Sequence, residues 1–229
     1  MRRLPAAGVD VGQARPPAPR LPPPAVPTRF TIFLLSPASL SGRRAAIVFN
    51  PRAEFALAQQ LRRPEGAALG QVFSFVSGLY FRGKLAYAEA FGRPPEGEVA
   101  SLVISPAEGL RPVHEPVTIP RLQQWADVEV DAHNPAFTEP LLRDAEAPER
   151  AHGACARFVL LGSVATSKYV RPLTKVFGDH LLFPPDFVGR GDMSRGALML
   201  RAARANKELP YLPVEGARLS TRFPGVAPH

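Results

Sequence analysis

A chain of 229 residues that is 45% hydrophobic can fill one ordinary core, and its single cysteine, Cys155, excludes an intramolecular disulfide and a cysteine-built zinc or iron–sulfur site within one chain. The formal charge of +8 invites a nucleic-acid reading, yet Arg2, Arg3, Arg15, Arg20 and Arg29 against Asp10 alone put half of that excess ahead of residue 30. The remaining basic residues are scattered rather than gathered in one stripe, which favours a weakly basic enzyme over a DNA-binding protein.

No run approaches the roughly 18 apolar residues needed to cross a bilayer, so the chain reads as non-membrane, and its cysteine usage fits a reducing, cytoplasmic setting. Residues 1–28 are Pro, Ala and Arg with few large apolar side chains, a composition that cannot repay the entropy of folding. They read as a disordered tail or an over-extended start; Arg2 and Arg3 lack the apolar stretch of an export signal. Residues 29–215 read as one α/β domain, and residues 216–229 as a flexible C-terminal tail.

In chain order, Phe30 to Leu35 predicts a first strand that stops at Ser36-Pro37, and Ala45 to Phe49 a second. Asn50 and Pro51 predict a helix start running to about Arg63, and a longer helical pattern covers Val72 to Phe91, with Gly78 and Gly83 allowing close packing. A strand over Val99 to Ile104 ends at Ser105-Pro106 and opens a loop over Ala107 to Leu110. A short helix capped by Thr118 reaches Ala126, Val128 to Val130 gives a minor strand, and a helix runs from Thr138 to about His152, bent or ended by Pro148. Phe158 to Leu161, a helix from Ser167 to Phe177 closed by Gly178, a strand over His180 to Phe183, a helix from Met193 to Leu209 capped by Asp192, and a strand over Tyr211 to Val214 complete the pattern. Continuous apolar strands interleaved with helices predict a three-layer α/β/α sandwich with a mostly parallel sheet.

In such sheets ligands sit beyond the carboxyl ends of the strands. Three of those ends are small and polar: Ser36-Pro37-Ala38, Ser105-Pro106-Ala107-Glu108-Gly109, and Gly162-Ser163-Val164-Ala165-Thr166. They let a ligand approach the backbone, although such residues also simply make good loops. The stretch from Asp186 to Gly196 carries the most chemistry. Gly189 and Gly191 permit tight turns, Arg190, Ser194 and Arg195 suit a phosphate or carboxylate, and Asp186 or Asp192 suits an acid/base role. Its alternative is a capped helix start with solvated arginines. The spacing matches neither a P-loop nor a dinucleotide fingerprint. Glu108, directly after a central strand, is a second acid/base candidate. The histidines show no metal-binding spacing, so neither a metal nor a cofactor is expected.

The segments Leu79-Tyr80-Phe81-Arg82-Gly83-Lys84 and Ile104-Ser105-Pro106-Ala107-Glu108-Gly109-Leu110 resemble those of a family of uncharacterised bacterial α/β domains. Phe158 to Ala165 is similar to the late strand and turn of the uracil-DNA glycosylase superfamily, over under a tenth of the chain. The first strand ends in Leu35-Ser36-Pro37-Ala38 instead of that superfamily's water-activating motif, and no His-Pro-Ser step follows Phe183, so base excision is not implied. Both resemblances imply a fold that holds a nucleobase or nucleotide at its strand ends. The expectation is therefore an enzyme for a nucleotide-like or other anionic small molecule, the alternative being a non-catalytic module that binds nucleic acid or protein.

Overall fold

The computed structural model describes residues 29–153 and 155–214, so the expected tails over 1–28 and 216–229 lie outside the described residues. Its element order is β1 (Phe30–Leu35), α1 (Arg43–Phe49), α2 (Ala56–Leu61), β2 (Ala67–Ala68), α3 (Leu69–Ser77), α4 (Leu79–Phe91), β3 (Ser101–Ser105), β4 (Gly109–Pro112), β5 (Pro116–Val117), α5 (Ile119–Ala126), α6 (Pro135–His152), β6 (Ala156–Leu161), α7 (Ser167–Phe177), β7 (Leu181–Phe183), α8 (Asp192–Arg204) and β8 (Leu212–Pro213). Among the described residues the main sheet has the order β4-β3-β1-β6-β7-β8, and β2 pairs separately with β5. The four inner strands are parallel, while β4 and β8 close the two edges in antiparallel register.

Alternation along the buried strands builds two cores. Phe33, Leu35, Val103, Val159 and Leu161 face a cluster that includes α3, α4 and α8, whereas Ile32, Leu34, Ile104, Phe158 and Leu160 face α6 and α7. This is the expected α/β/α sandwich with a mostly parallel sheet. The chain leaves β1 toward the first layer and leaves β6 toward the second, although β1 and β6 are adjacent. Outgoing connections that part to opposite faces define the switch point of an open parallel sheet, and they leave a crevice between the two strand ends.

Several elements differ from the pattern read in the sequence. Ala45 to Phe49 belongs to a helix, because the chain buries Ala45 and Val48, three residues apart, and leaves Ile47 exposed. Asn50 caps a turn, its side chain accepting from the Arg52 N–H at 2.9 Å, and the helix begins only at Ala56. The pattern over Val72 to Phe91 divides into α3 and α4 at Gly78, whose φ of 63° suits glycine. Residues 109–112 form β4 of a hairpin, whereas Val128 to Val130 form no strand. Helix α6 begins at Pro135, where the Asn134 side chain accepts from the Ala136 N–H, rather than at Thr138, and it passes through Pro148 to end at His152 as expected. Strand β7 starts after His180, α8 ends at Arg204, and β8 runs antiparallel to β7. Asp192 is the first residue of α8 rather than its cap, a position held by Gly191.

Helices α4 and α8 approach closely because both are notched. A side chain's Cβ at Gly83 would lie 2.5 Å from the Gly196 carbonyl oxygen, and one at Gly196 would lie 2.6 Å from the Leu79 carbonyl oxygen. That contact brings the start of α8 beside Tyr80 and Lys84 of α4. No described helix is long and apolar enough to cross a membrane.

Candidate functional site

The crevice at the switch point is a cleft of about 830 Å3. Ser36 and the loop that follows it line one side, Ser163, Lys168 and Tyr169 the opposite side, and Tyr80 and Asp192 the α4–α8 edge. Pro106, Trp125 and the segment from Val128 to Val130 complete the wall.

Beneath its floor lies a fully buried lysine. Lys84 is 1% exposed, and its Nζ donates to the Ser36 carbonyl oxygen at 2.9 Å and lies 2.7 Å from Ser36 Oγ. The ammonium also sits 3.9 Å from the centre of the Tyr80 ring, and it forms no salt bridge among the described residues. Burial lowers its pKa from 10.5 to about 7; Asp192 opposes this shift, and Arg195 and Lys168 add to it. Lys84 falls on the stripe Tyr80, Phe81, Lys84, Tyr87, Ala88 and Phe91, so the periodicity of α4 forces the amine into the core.

Ser36 leaves β1 with its N–H and Oγ both directed at the Leu161 carbonyl oxygen of β6, at 3.3 and 3.4 Å. Gly162 continues that contact, since a Cβ there would stand 3.0 Å from the Ser36 Cβ. The Tyr80 hydroxyl is buried on the cleft wall near Ser36 and Arg195 and makes no hydrogen bond among the described residues. Burial raises its pKa, an effect the Arg195 guanidinium opposes. Tyr169 is likewise raised by burial, with Tyr80 and Asp192 adding to the shift.

No protein-family model, curated protein or solved structure matches this chain.

The residues singled out in the sequence divide into three groups. Ser36, Ser163 and Asp192 line the cleft, Gly162 packs behind Ser36, and Arg195 stands beside Tyr80. Arg195 also donates to the Phe187 carbonyl oxygen and pairs with Asp192 at 3.5 Å. A second group braces the structure on the β3 side. Ser105 is buried, and its Oγ accepts the Glu108 N–H at 2.8 Å, closing the β3–β4 hairpin. The Glu108 carboxylate accepts from Arg121 and from the Trp125 Nε1–H, and hydrogen bonding to Arg121 holds its pKa below the ordinary carboxylate value. With both oxygens engaged and no place in the cleft lining, Glu108 fixes the Trp125 wall and is poorly placed for proton transfer. The third group lies in the exposed loop before α8. Arg190 donates to the Asp186 carbonyl oxygen and to Ser194 Oγ, so this loop is tied to itself. Asp186, Gly189, Arg190, Gly191 and Ser194 do not line the cleft, and the arginine pair expected to clasp one anion instead donates to carbonyl oxygens of its own loop, Arg190 to Asp186 and Arg195 to Phe187.

Lys84, Tyr80, Lys168 and Tyr169 complete the site. The available signal was the position of Lys84 four residues after Tyr80 and three before Tyr87, on an otherwise apolar helix face. No cluster of three or more His, Cys, Asp or Glu suited to a metal occurs among the described residues.

Proposed function

We propose that this protein is an enzyme that binds an anionic, nucleotide-like small molecule in the crevice between the ends of β1 and β6. The observation that carries this reading is the buried Lys84 beneath Ser36. An ammonium in a low-dielectric interior without a carboxylate partner is costly, and such groups concentrate where function requires them. Lys168 and Arg195 add positive charge around the same cleft, and a volume of about 830 Å3 suits a ligand of nucleotide size. In this reading Lys168 and Arg195 hold the anionic group, the Tyr80 hydroxyl donates to a ligand oxygen, and Asp192 orients a hydroxyl or receives a proton.

The test is a thermal-shift panel of nucleoside monophosphates, nucleobases, sugar phosphates and inorganic phosphate on the full chain. A ligand present at a hundred times its Kd adds about 2.7 kcal/mol to native-state stability, which raises the Tm of a chain of this size by roughly 5–10 °C. The expected result is such a rise with a phosphorylated compound, diminished in Lys168→Ala and Arg195→Ala. No shift with any anion would contradict the proposal.

A further inference from the structure

We propose that Ser36 is a nucleophile and Lys84 its general base, so that the anionic ligand of this cleft is an acyl donor, a carboxylic ester bearing a negatively charged group. This rests on the anion-binding reading of the same site and assigns its reaction class. The geometry is that of an activated hydroxyl: Ser36 lines the cleft at the switch point, and Lys84 Nζ approaches its Oγ to 2.7 Å from the buried side.

Two protonation states account for the hydrogen bonds of this pair. As an ammonium, Lys84 donates to both the carbonyl oxygen and Oγ of Ser36, and the serine hydroxyl donates to the Leu161 carbonyl oxygen. As a free amine, Lys84 keeps its donation to the Ser36 carbonyl oxygen and turns its lone pair to the Oγ–H. The groups that bias this balance are Asp192 and Arg195 on α8, Lys168 on α7, and the Tyr80 ring on α4. A pKa near 7 makes the free amine accessible at neutral pH.

In the reaction, Lys84 takes the Oγ proton as Oγ bonds to the ester carbonyl carbon, and the carbonyl π electrons move onto oxygen. In this proposal the Tyr80 hydroxyl, buried near Ser36 and Arg195 and without a partner among the described residues, donates to that oxyanion. As the intermediate collapses, the carbon–oxygen bond to the alcohol breaks, and the departing alkoxide takes the proton from Lys84. Water then attacks the acyl-serine, Lys84 receives its proton and returns one to Oγ, and the products are a carboxylic acid and an alcohol.

The experiment treats the full chain with phenylmethylsulfonyl fluoride and follows intact mass and peptide mapping as a function of pH. Attack by Oγ on sulfur with loss of fluoride leaves a stable sulfonyl ester. The expected result is one adduct at Ser36 whose rate rises with pH and is half-maximal near 7, absent in Ser36→Ala and slowed at least a hundredfold in Lys84→Met. An unmodified Ser36, a rate independent of pH, or an undiminished rate in Lys84→Met would overturn the proposal. Should Lys84→Met fail to fold, the wild-type pH profile decides the matter. Labelling and anion binding are separable: an anion-dependent thermal shift with Ser36 inert removes the nucleophile alone, whereas labelled Ser36 without any such shift removes the anion-binding reading.

Discussion

Gly196→Ala is expected to lower stability by about 3 kcal/mol, seen as a Tm reduced by roughly 6–12 °C. In an isolated helix the same change would stabilise by up to about 1 kcal/mol, so helix propensity acts in the opposite direction. The loss arises because the new methyl group would lie 2.6 Å from the Leu79 carbonyl oxygen and 2.8 Å from the Tyr80 Cα. Both are backbone atoms of α4, and no rotamer change relieves the overlap. The helices must separate, which draws Asp192 and Arg195 away from Tyr80 and Lys84, so ligand-induced stabilisation is lost as well. Gly191→Ala is the matched control, because its Cβ meets nothing within 4 Å and its φ of −76° is ordinary. Equal Tm values for the two variants would show that the α4–α8 notch does not set the helix separation.

Lys84→Met is expected to reverse its effect on stability with pH. In the unfolded chain the amine keeps its ordinary pKa of 10.5, whereas in the folded protein burial holds it near 7. Between those values the unfolded state binds more protons, so this residue makes unfolding free energy rise with pH, by up to about 1.4 kcal/mol per pH unit. Below pH 7 both states are protonated and the cost of burying the charge is present in full; above about 10.5 both are neutral and it is absent. Methionine has no charge to bury, but it leaves the Ser36 oxygens without their donor, a loss of about 1–3 kcal/mol. The variant should therefore equal or exceed the wild type in urea unfolding at pH 7 and fall below it near pH 10.5. A difference that does not change with pH would mean that Lys84 titrates normally.

The sheet was largely legible because its central strands are continuous apolar runs with small or turn-forming residues at their ends. Phe30 to Leu35 and Phe158 to Leu161 define β1 and β6, and the rule that ligands lie beyond strand ends points at Ser36 and Ser163 without coordinates. The apolar run Ala45 to Phe49 is too short to separate helix from strand by periodicity, and only the exposure of Ile47 decides it. β4 was hidden inside a turn-rich sequence because a hairpin depends on its partner strand for register. Lysine is normally solvated, so a helix bearing Lys84 gives no warning unless its neighbours at helical spacing are counted. Gly196 falls inside the helix expected from Met193 with nothing in its surroundings to mark it out, yet its role is to admit the backbone of α4. Arg190 of the loop before α8 is the opposite case: its spacing from Arg195 suits an anion, but its guanidinium satisfies its own loop.

The central claim is that the cleft holds an anion above a titrating lysine, and calorimetric titration of the protein with a nucleoside monophosphate between pH 7 and 9 tests it most directly. The phosphate is already a dianion over this range, since its second pKa is about 6. Loss of the proton from Lys84 should therefore weaken binding roughly tenfold, equivalent to about 1.4 kcal/mol, in the wild type and leave Lys84→Met unaffected. Binding with the same pH dependence in both proteins, or no binding at any pH, would contradict the account.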